Sequence, residues 1–248
     1  MMRYFYIGTM LPTLSFDQPS EISYTDFLRL LNDNLTRKDY RQTLVIRRMY
    51  DLLNIKSLWQ GEPLSPYGLL DANEIHEGLL NQVTFPSYVY DFLDRYESTE
   101  ERVRHFPSLL SDFFRKEIKG TEGVLRHYLK FERELRLVLA AFRARKLGRD
   151  LSVELQYENP DEDFIAQLLA QKDSKEFDPP EEYQGLKIIF EKSGNDPLIL
   201  QRSLDEYRFN FIEGLVDMAD LFSIKRILVF MLELLIVERW SAIKFYTT

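Results

Sequence analysis

The chain offers few side chains that serve acid–base or metal chemistry. It contains no cysteine, which excludes disulfides, thiolate zinc sites, iron–sulfur clusters and cysteine catalysis. Its three histidines, His76, His105 and His127, are isolated, and none belongs to an HExxH or a Glu-x-x-His pattern. Isolated histidines on helices are more typical of packing or surface positions than of catalysis. They do not predict an active site.

One acidic run has the residue types of a carboxylate metal site. Asp161, Glu162 and Asp163 carry the oxygen ligands that hard divalent cations prefer, as in metal-dependent hydrolases. The same run is typical of a helix start, where acidic side chains interact favourably with the helix dipole. Glu132 and Glu134 are two residues apart on a predicted helix, so they point to different faces and cannot converge on one ion. A carboxylate hydrolase is therefore an alternative that no second motif supports.

Motifs for nucleotide binding and nucleophilic catalysis are also missing from the sequence. There is no GxxxxGK[ST] loop and no GxGxxG turn, and Lys192-Ser193-Gly194 lacks the glycine spacing of a phosphate-binding loop. No GxSxG segment presents a serine nucleophile. We expect a protein that is not an enzyme and that binds no metal or other cofactor.

The composition indicates a folded chain with an acidic surface. Of 248 residues, 45% are hydrophobic and 29% are charged, which is ordinary for a globular protein. The 32 basic and 40 acidic residues give a net charge of −8. Because nucleic-acid binding is usually carried by an excess of basic residues, we do not expect a nucleic-acid partner.

The hydrophobic pattern predicts an all-α fold of long amphipathic helices, with at most a minor short strand. Residues 123–147 place apolar side chains three or four positions apart, the period of one helix face, and Gly148 supplies a stop. Two final helices are predicted at about 198–222 and 223–246. We interpret residues 1–248 as a single α-helical unit with two loosely related lobes and a soft boundary in the acidic, proline-containing segment 173–184.

The charges of the predicted helix 123–147 are strongly segregated from those that follow. Residues 125–149 hold eight basic and two acidic side chains, a balance of +6, whereas residues 150–182 have a balance of −9. One interpretation is that the basic face pairs with this acidic segment. The other is a docking surface for an acidic partner, since charge steers association. The basic residues that we expect to be exposed in that case are Arg136, Arg143, Arg145, Lys146 and Arg149.

The most apolar run of the chain is too short to span a membrane. Residues 227–237 include Glu233 and number eleven, whereas a spanning helix needs about 20 apolar residues. We expect a buried helix there and no direct membrane span. The first sixteen residues contain Tyr4, Tyr6 and Pro12 and lack a cleavage site, so we interpret them as mature structure and not as a signal peptide.

Four short stretches follow one another along nearly the whole chain. They are YFYI (4–7) with LPTL (11–14), RRMYDLLNI (47–55), YLKFERELR (128–136) with RARKLG (143–148), and LELLIVERW (232–240). In this order they resemble a bacterial family of unassigned biochemistry whose genes lie among those for V-type ATP synthases. The third stretch also resembles the repeated helix of the C/d subunit of V-type ATPases, which is called d in the eukaryotic enzymes.

This resemblance implies an all-helical, multi-lobed protein that couples two parts of a rotary motor. The C/d subunit sits on the membrane rotor ring and receives the foot of the central shaft, without a nucleotide site of its own, during proton or sodium transport. The resemblance also implies a cytoplasmic protein that is peripheral to the inner membrane through the ATPase complex. A weak internal repeat fits two lobes, because Leu129 and Arg136 align with Leu232 and Arg239.

The expected partners are therefore the central shaft and the membrane rotor ring of a V-type ATPase. The candidate contact residues lie on the basic helix and near the carboxyl end of the chain: Arg136, Arg143, Arg145, Lys146, Glu238, Arg239 and Trp240. Each of them fits an internal ion pair or core contact as well, and for Trp240 burial is the expected state. An unrelated cytosolic helical adaptor is the first alternative to this function.

Overall fold

The computed structural model describes residues 4–174, 176–194 and 196–246, with side chains through residue 241. Within these ranges the regular structure consists of thirteen α-helices and two 3₁₀ turns, and no β-strand occurs. The all-α prediction is therefore confirmed. The helices are α1 (Phe5–Met10), α2 (Tyr24–Asn34), α3 (Arg37–Gln60), α4 (Ala72–Asn81), α5 (Ser87–Arg95), α6 (Thr99–Arg104), α7 (Phe106–Gly120), α8 (Gly123–Leu147), α9 (Leu151–Glu154), α10 (Asp163–Leu169), α11 (Gln184–Ser193), α12 (Pro197–Glu213) and α13 (Ile224–Tyr246).

The chain divides into two compact units. Unit 1 comprises Met1–His127 and Phe209–Thr248, and unit 2 is the continuous stretch Tyr128–Arg208. Both junctions between the units fall inside helices, one in α8 and one in α12. The segment 173–184, which the sequence suggests as a soft boundary, lies within unit 2, and its Lys175 is outside the described residues. Phe177 and Tyr183 bury their side chains there.

The core of unit 1 is built around α13. Every residue from 227 to 237 is buried, and all but Glu233 are apolar, so this part of α13 is stable only when other elements surround it. It packs against α2 and α3, and the rings of Phe27 and Phe230 lie 5.0 Å apart between their centroids. Among the described helices, none has the combination of length and apolar character that crossing a bilayer requires.

The core of unit 2 is built on the inner face of α8. The side chains of Leu129, Leu135 and Val138 are fully buried there. Further along the helix the Phe142 ring stacks on Phe190 of α11, with centroids 4.3 Å apart, and meets Phe177 edge-on at 4.9 Å. These contacts fix the rotation of α8, so they decide which of its basic residues face solvent.

Helix ends in the structure follow local chemistry. Gly148 has a φ of 63°, a left-handed conformation that glycine adopts readily, and it ends α8 where the sequence predicts. The helix α12 ends at Glu213 and does not continue to Phe222, since Gly214 follows and a 3₁₀ turn forms at Met218–Asp220.

Candidate functional site

The buried side of α8 holds an ionic network with α12. Glu132 is only 3% exposed. It accepts hydrogen bonds from Nε of Arg136 and from Nε of Arg208, each at 3.0 Å. Arg208 also donates to Asp205 at 3.2 Å, and Asp205 accepts from the Gln201 amide at 3.1 Å. Arg136, a predicted contact residue, therefore belongs to the interior of unit 2 as well as to its surface.

The balance of charges in this network favours its ionised form. Burial by itself lowers the pKa of Arg208, but the adjacent carboxylates of Glu132 and Asp205 outweigh it and hold that pKa above its ordinary value. Because each charge is paired and hydrogen-bonded, the network avoids the large penalty of an isolated buried ion. It ties α8 to α12 within unit 2.

A second group of ion pairs joins α8 to the acidic segment after it. Arg133 donates to Glu158 through Nε at 3.0 Å and to Glu162 through Nη1 at 2.7 Å. Just beyond the end of α8, Arg149 lies 3.4 Å from Glu154, in a more exposed position. Part of the basic face is thus paired inside the chain, as the first of the two interpretations expects.

The two acidic residues of α8 point in different directions. Glu132 faces Arg208, whereas Glu134 accepts a 2.8 Å hydrogen bond from the Tyr183 hydroxyl. Burial raises the pKa of Glu134, although Tyr183 and Lys130 partly oppose that shift. The spacing argument from the sequence therefore holds, because the two carboxylates do not share one site.

The last turns of α8 present a different arrangement. The Arg145 guanidinium donates through Nη2 to the backbone carbonyls of Gln171 and Lys172, and the Lys146 ammonium lies 3.5 Å from the carbonyl of Gly194. Lys146 is nevertheless exposed, and so is Arg143, for which the described residues provide no hydrogen bond or ion pair. This end of α8 presents positive charge to solvent.

The candidates near the carboxyl end serve mainly the interior of unit 1. Trp240 is 5% exposed and meets Phe16 edge-on at a centroid distance of 6.2 Å. Glu238 accepts the backbone N–H of Tyr24 at the first residue of α2, and burial raises the pKa of this carboxyl. Arg239 is half-buried, with its charge close to the hydroxyl of Tyr67. These contacts join α13 to α2 and to the loop before α4.

The sequence stretch 47–55 forms a clamp that the spacing alone did not reveal. Asp51 accepts the backbone N–H groups of Leu69 and Leu70 at 2.7 and 3.1 Å. Asn54 donates to the carbonyl of Ser65 at 2.9 Å and accepts its N–H at 2.8 Å, while Arg47 donates to the carbonyl of Gly68. Burial raises the pKa of Asp51 to about 6. These polar residues of α3 hold a loop in place, which explains their spacing.

The acidic run 161–163 does not gather into a metal centre. Glu162 pairs with Arg133, and Asp163 is the exposed first residue of α10. Across the described part of the chain, no three His, Asp or Glu side chains are grouped closely enough to hold an ion.

Comparison with known proteins places the chain in a family. A family model described as "Protein of unknown function (DUF2764)" matches residues 1–246. The chain belongs to this family. It is 29% identical over 219 residues to an uncharacterized protein of Chlamydia muridarum, which covers 86% of this chain and 82% of that protein. An uncharacterized protein of Chlamydia pneumoniae is 30% identical over 220 residues, covering 86% and 83%. No solved structure matches the chain.

The chain therefore presents two kinds of polar site. Buried or half-buried groups such as Glu132, Arg208 and Asp51 stabilise contacts within each unit. The end of α8 instead offers exposed cations at Arg143 and Lys146. The second arrangement is suited to recognising an acidic surface on another molecule.

Proposed function

We propose that this protein is a non-catalytic central-stalk component of a V-type ATP synthase or ATPase. In this role it acts like the C/d subunit and couples the rotor shaft to the membrane ring during proton or sodium transport. It is held at the inner membrane through the complex. The order of the four sequence stretches that resemble the ATPase-linked family supports the proposal, and so does the all-helical fold.

The observation that carries the proposal is the exposed cationic end of α8. Arg143 and Lys146 lie at the end of a 25-residue helix whose other face is fixed by core packing and by the Glu132–Arg208 ion pair. A coupling protein of this kind needs stiff elements that are anchored internally and charged where a neighbour docks. Long helices supply the stiffness, and exposed charges steer the neighbour into register.

Co-purification with the ATPase tests the proposal. A tagged chain is expressed in a bacterium that encodes both the chain and a V-type ATPase, and the captured shaft and ring proteins are quantified. The wild-type chain is expected to capture them, and the double variant Arg143→Glu/Lys146→Glu is expected to capture at least about tenfold less.

A matched control separates this effect from a general change in charge. Lys116 and Lys119 are exposed residues in the last turns of α7, so Lys116→Glu/Lys119→Glu makes the same change of charge near a helix end of unit 1. The control is expected to capture the shaft and ring normally. If the wild-type chain fails to capture shaft or ring while those components remain assembled, the chain is not part of this complex and a helical adaptor is the better assignment.

A further inference from the structure

Two features of unit 2 combine into one surface at the end of α8. Arg143, Lys146 and Leu147 are spaced i, i+3 and i+4, which places them on one face of the helix. Both cations are exposed, and Leu147 exposes 61% of its surface. A charged and apolar stripe of this kind occupies the last turns of α8.

The first turn of α12 adds two more exposed aliphatic side chains. Leu198 and Ile199 are 50% and 51% exposed, and their backbone N–H groups donate to Asp196 at 2.8 and 3.1 Å. The Lys146 ammonium lies 3.5 Å from the carbonyl of Gly194, which shortly precedes α12. This contact places the last turn of α8 near the loop that leads into α12, whose first turn carries Leu198 and Ile199. We name the surface formed by Arg143, Lys146, Leu147, Leu198 and Ile199 the α8–α12 patch.

Exposed aliphatic residues are ordinary when they are scattered, but a group bordered by polar side chains is typical of an interface. The cations of the patch favour a partner with negative charge. The two leucines and the isoleucine of the patch favour a partner that also has an apolar stripe. An α-helix with a Leu/Ile/Val face flanked by Asp or Glu satisfies both requirements, and its diameter of roughly 10–12 Å suits a narrow surface. We infer that the α8–α12 patch binds an acidic amphipathic helix of a partner protein; the inference rests on the proposed function and names the partner segment.

The surroundings of the patch disfavour an anionic membrane as the occupant. Exposed Asp150 and Asp196 flank it, and residues 150–182 carry a balance of −9. A flat bilayer with anionic lipids meets these carboxylates together with the patch and is repelled by them. A single helix, roughly 10–12 Å wide, covers a smaller area and can place its acidic residues towards Arg143 and Lys146 and away from these carboxylates.

Site-specific photo-crosslinking in cells that contain the ATPase tests the inference. Benzoylphenylalanine replaces Leu147 or Ile199 in the full chain, and as a control it replaces Leu80, which is 70% exposed on α4 of unit 1. Cross-linked peptides are identified by mass spectrometry. Positions 147 and 199 are expected to cross-link to an acidic amphipathic segment of an ATPase component, and position 80 is not expected to reach that segment.

The outcomes distinguish this inference from the proposed function. If capture of shaft and ring fails while 147 and 199 cross-link to such a helix of another protein, the patch is supported and the ATPase assignment is overturned. The opposite result overturns the inference and leaves the ATPase assignment standing. In that case the chain co-purifies with the ATPase, but positions 147 and 199 give no cross-link or cross-link to lipid, to a basic segment or to a second copy of this chain.

Point variants provide a second measurement. Leu147→Glu and Ile199→Glu are expected to lower capture of the ATPase shaft and ring about tenfold, and Leu80→Glu is expected to leave it unchanged. Circular dichroism shows whether each variant keeps its helical content.

Discussion

Gly68 lies where an added methyl group has no room. A Cβ atom at this position would be 2.5 Å from Oδ1 of Asp51 and 3.0 Å from Nδ2 of Asn54. Gly68→Ala therefore disrupts the clamp on the loop before α4, and we expect it to lower the free energy of unfolding by about 1–3 kcal/mol in a urea titration. The control is Gly120→Ala at the end of α7, where no atom lies within 4 Å. We expect no loss of stability there and a gain of at most about 1 kcal/mol, because alanine favours the helical conformation. Equal effects at the two glycines would contradict a tight clamp.

We expect Glu233 to make the stability of unit 1 depend on pH. Burial raises the pKa of this carboxyl from 4.5 to about 7. The positive charge of Arg226, 3.5 Å away, lowers the pKa but does not cancel this rise, and the negative charge of Glu213 adds to it. A group with a raised pKa in the folded state binds its proton more tightly there. Its contribution to the free energy of unfolding is therefore complete below pH 4.5 and is lost as the pH rises through 7. The total change is up to about 3 kcal/mol. Asp51 acts in the same direction over a lower range, because its pKa rises from 3.8 to about 6.

The variant Glu233→Gln isolates this contribution. We expect it to flatten the fall in unfolding free energy between pH 5 and pH 8 and to be more stable than the wild-type chain at the upper end, as measured by chemical denaturation at several pH values. Glu206→Gln on the exposed face of α12 is the control and should leave the slope unchanged. A Glu233→Gln curve parallel to that of the wild-type chain would show that Glu233 does not titrate in this range.

At the scale of elements, the Glu132–Arg208 pair joins α8 to α12 within unit 2. Removing one partner leaves a buried charge with only part of its compensation, since Arg136 still pairs with Glu132 and Asp205 still pairs with Arg208. We therefore expect Glu132→Gln and Arg208→Gln each to lower the free energy of unfolding by up to about 3–5 kcal/mol. In a double-mutant cycle the two changes should couple by about 1–3 kcal/mol. The exposed pair Glu100–Arg104, 2.8 Å apart on α6, serves as the control in a second double-mutant cycle. We expect a coupling free energy below about 0.5 kcal/mol for this pair. Similar couplings in both cycles would argue against a stabilising network.

The sequence predicts the helices that carry a strong apolar period and misses those that do not. The interval 123–147 matches α8 because its apolar spacing and Gly148 agree. In contrast, the apolar pattern does not predict α6, because this helix buries none of its residues and only the capping box of Ser98 and Glu101 marks its start. The helix α1 runs through Gly8, where the carbonyl of Leu221 and the ring of Phe222 would lie 2.8 Å from an added Cβ. That long-range contact is not readable from local sequence.

The candidate site shows the same division. Charge counting finds the basic side of α8, and the residue types find Trp240 as a core residue. Which cations are paired depends on tertiary contacts, since Arg133 meets Glu158 and Glu162 only when the acidic segment folds back on α8. The sequence also does not reveal the exposed aliphatic residues of the α8–α12 patch. Whether a side chain at a helix end is exposed depends on tertiary packing and cannot be read from the apolar period of the helix.

At the scale of the whole molecule, a chain with a net charge of −8 carries a local cationic surface. Association through that surface is expected to weaken as the salt concentration rises from about 50 to about 500 mM, because the screening length shortens severalfold. Capture of the ATPase shaft and ring at a series of NaCl concentrations measures this, and circular dichroism at the same concentrations shows that the fold is retained. Capture that does not change with salt would indicate that the cations play no part in docking.

The division of the chain into units also has a consequence for its synthesis. Unit 2 is one continuous stretch, whereas unit 1 needs α13, whose buried residues 227–237 come long after α2 and α3 in the sequence. A ribosome therefore releases all of unit 2 before α13 leaves the exit tunnel, and we expect unit 2 to fold first. Until α13 emerges, the apolar side chains of α2 and α3 that pack against it stay exposed, although α4, α6 and α7 can already cover other parts of α3. The nascent chain is then most in need of a holding chaperone.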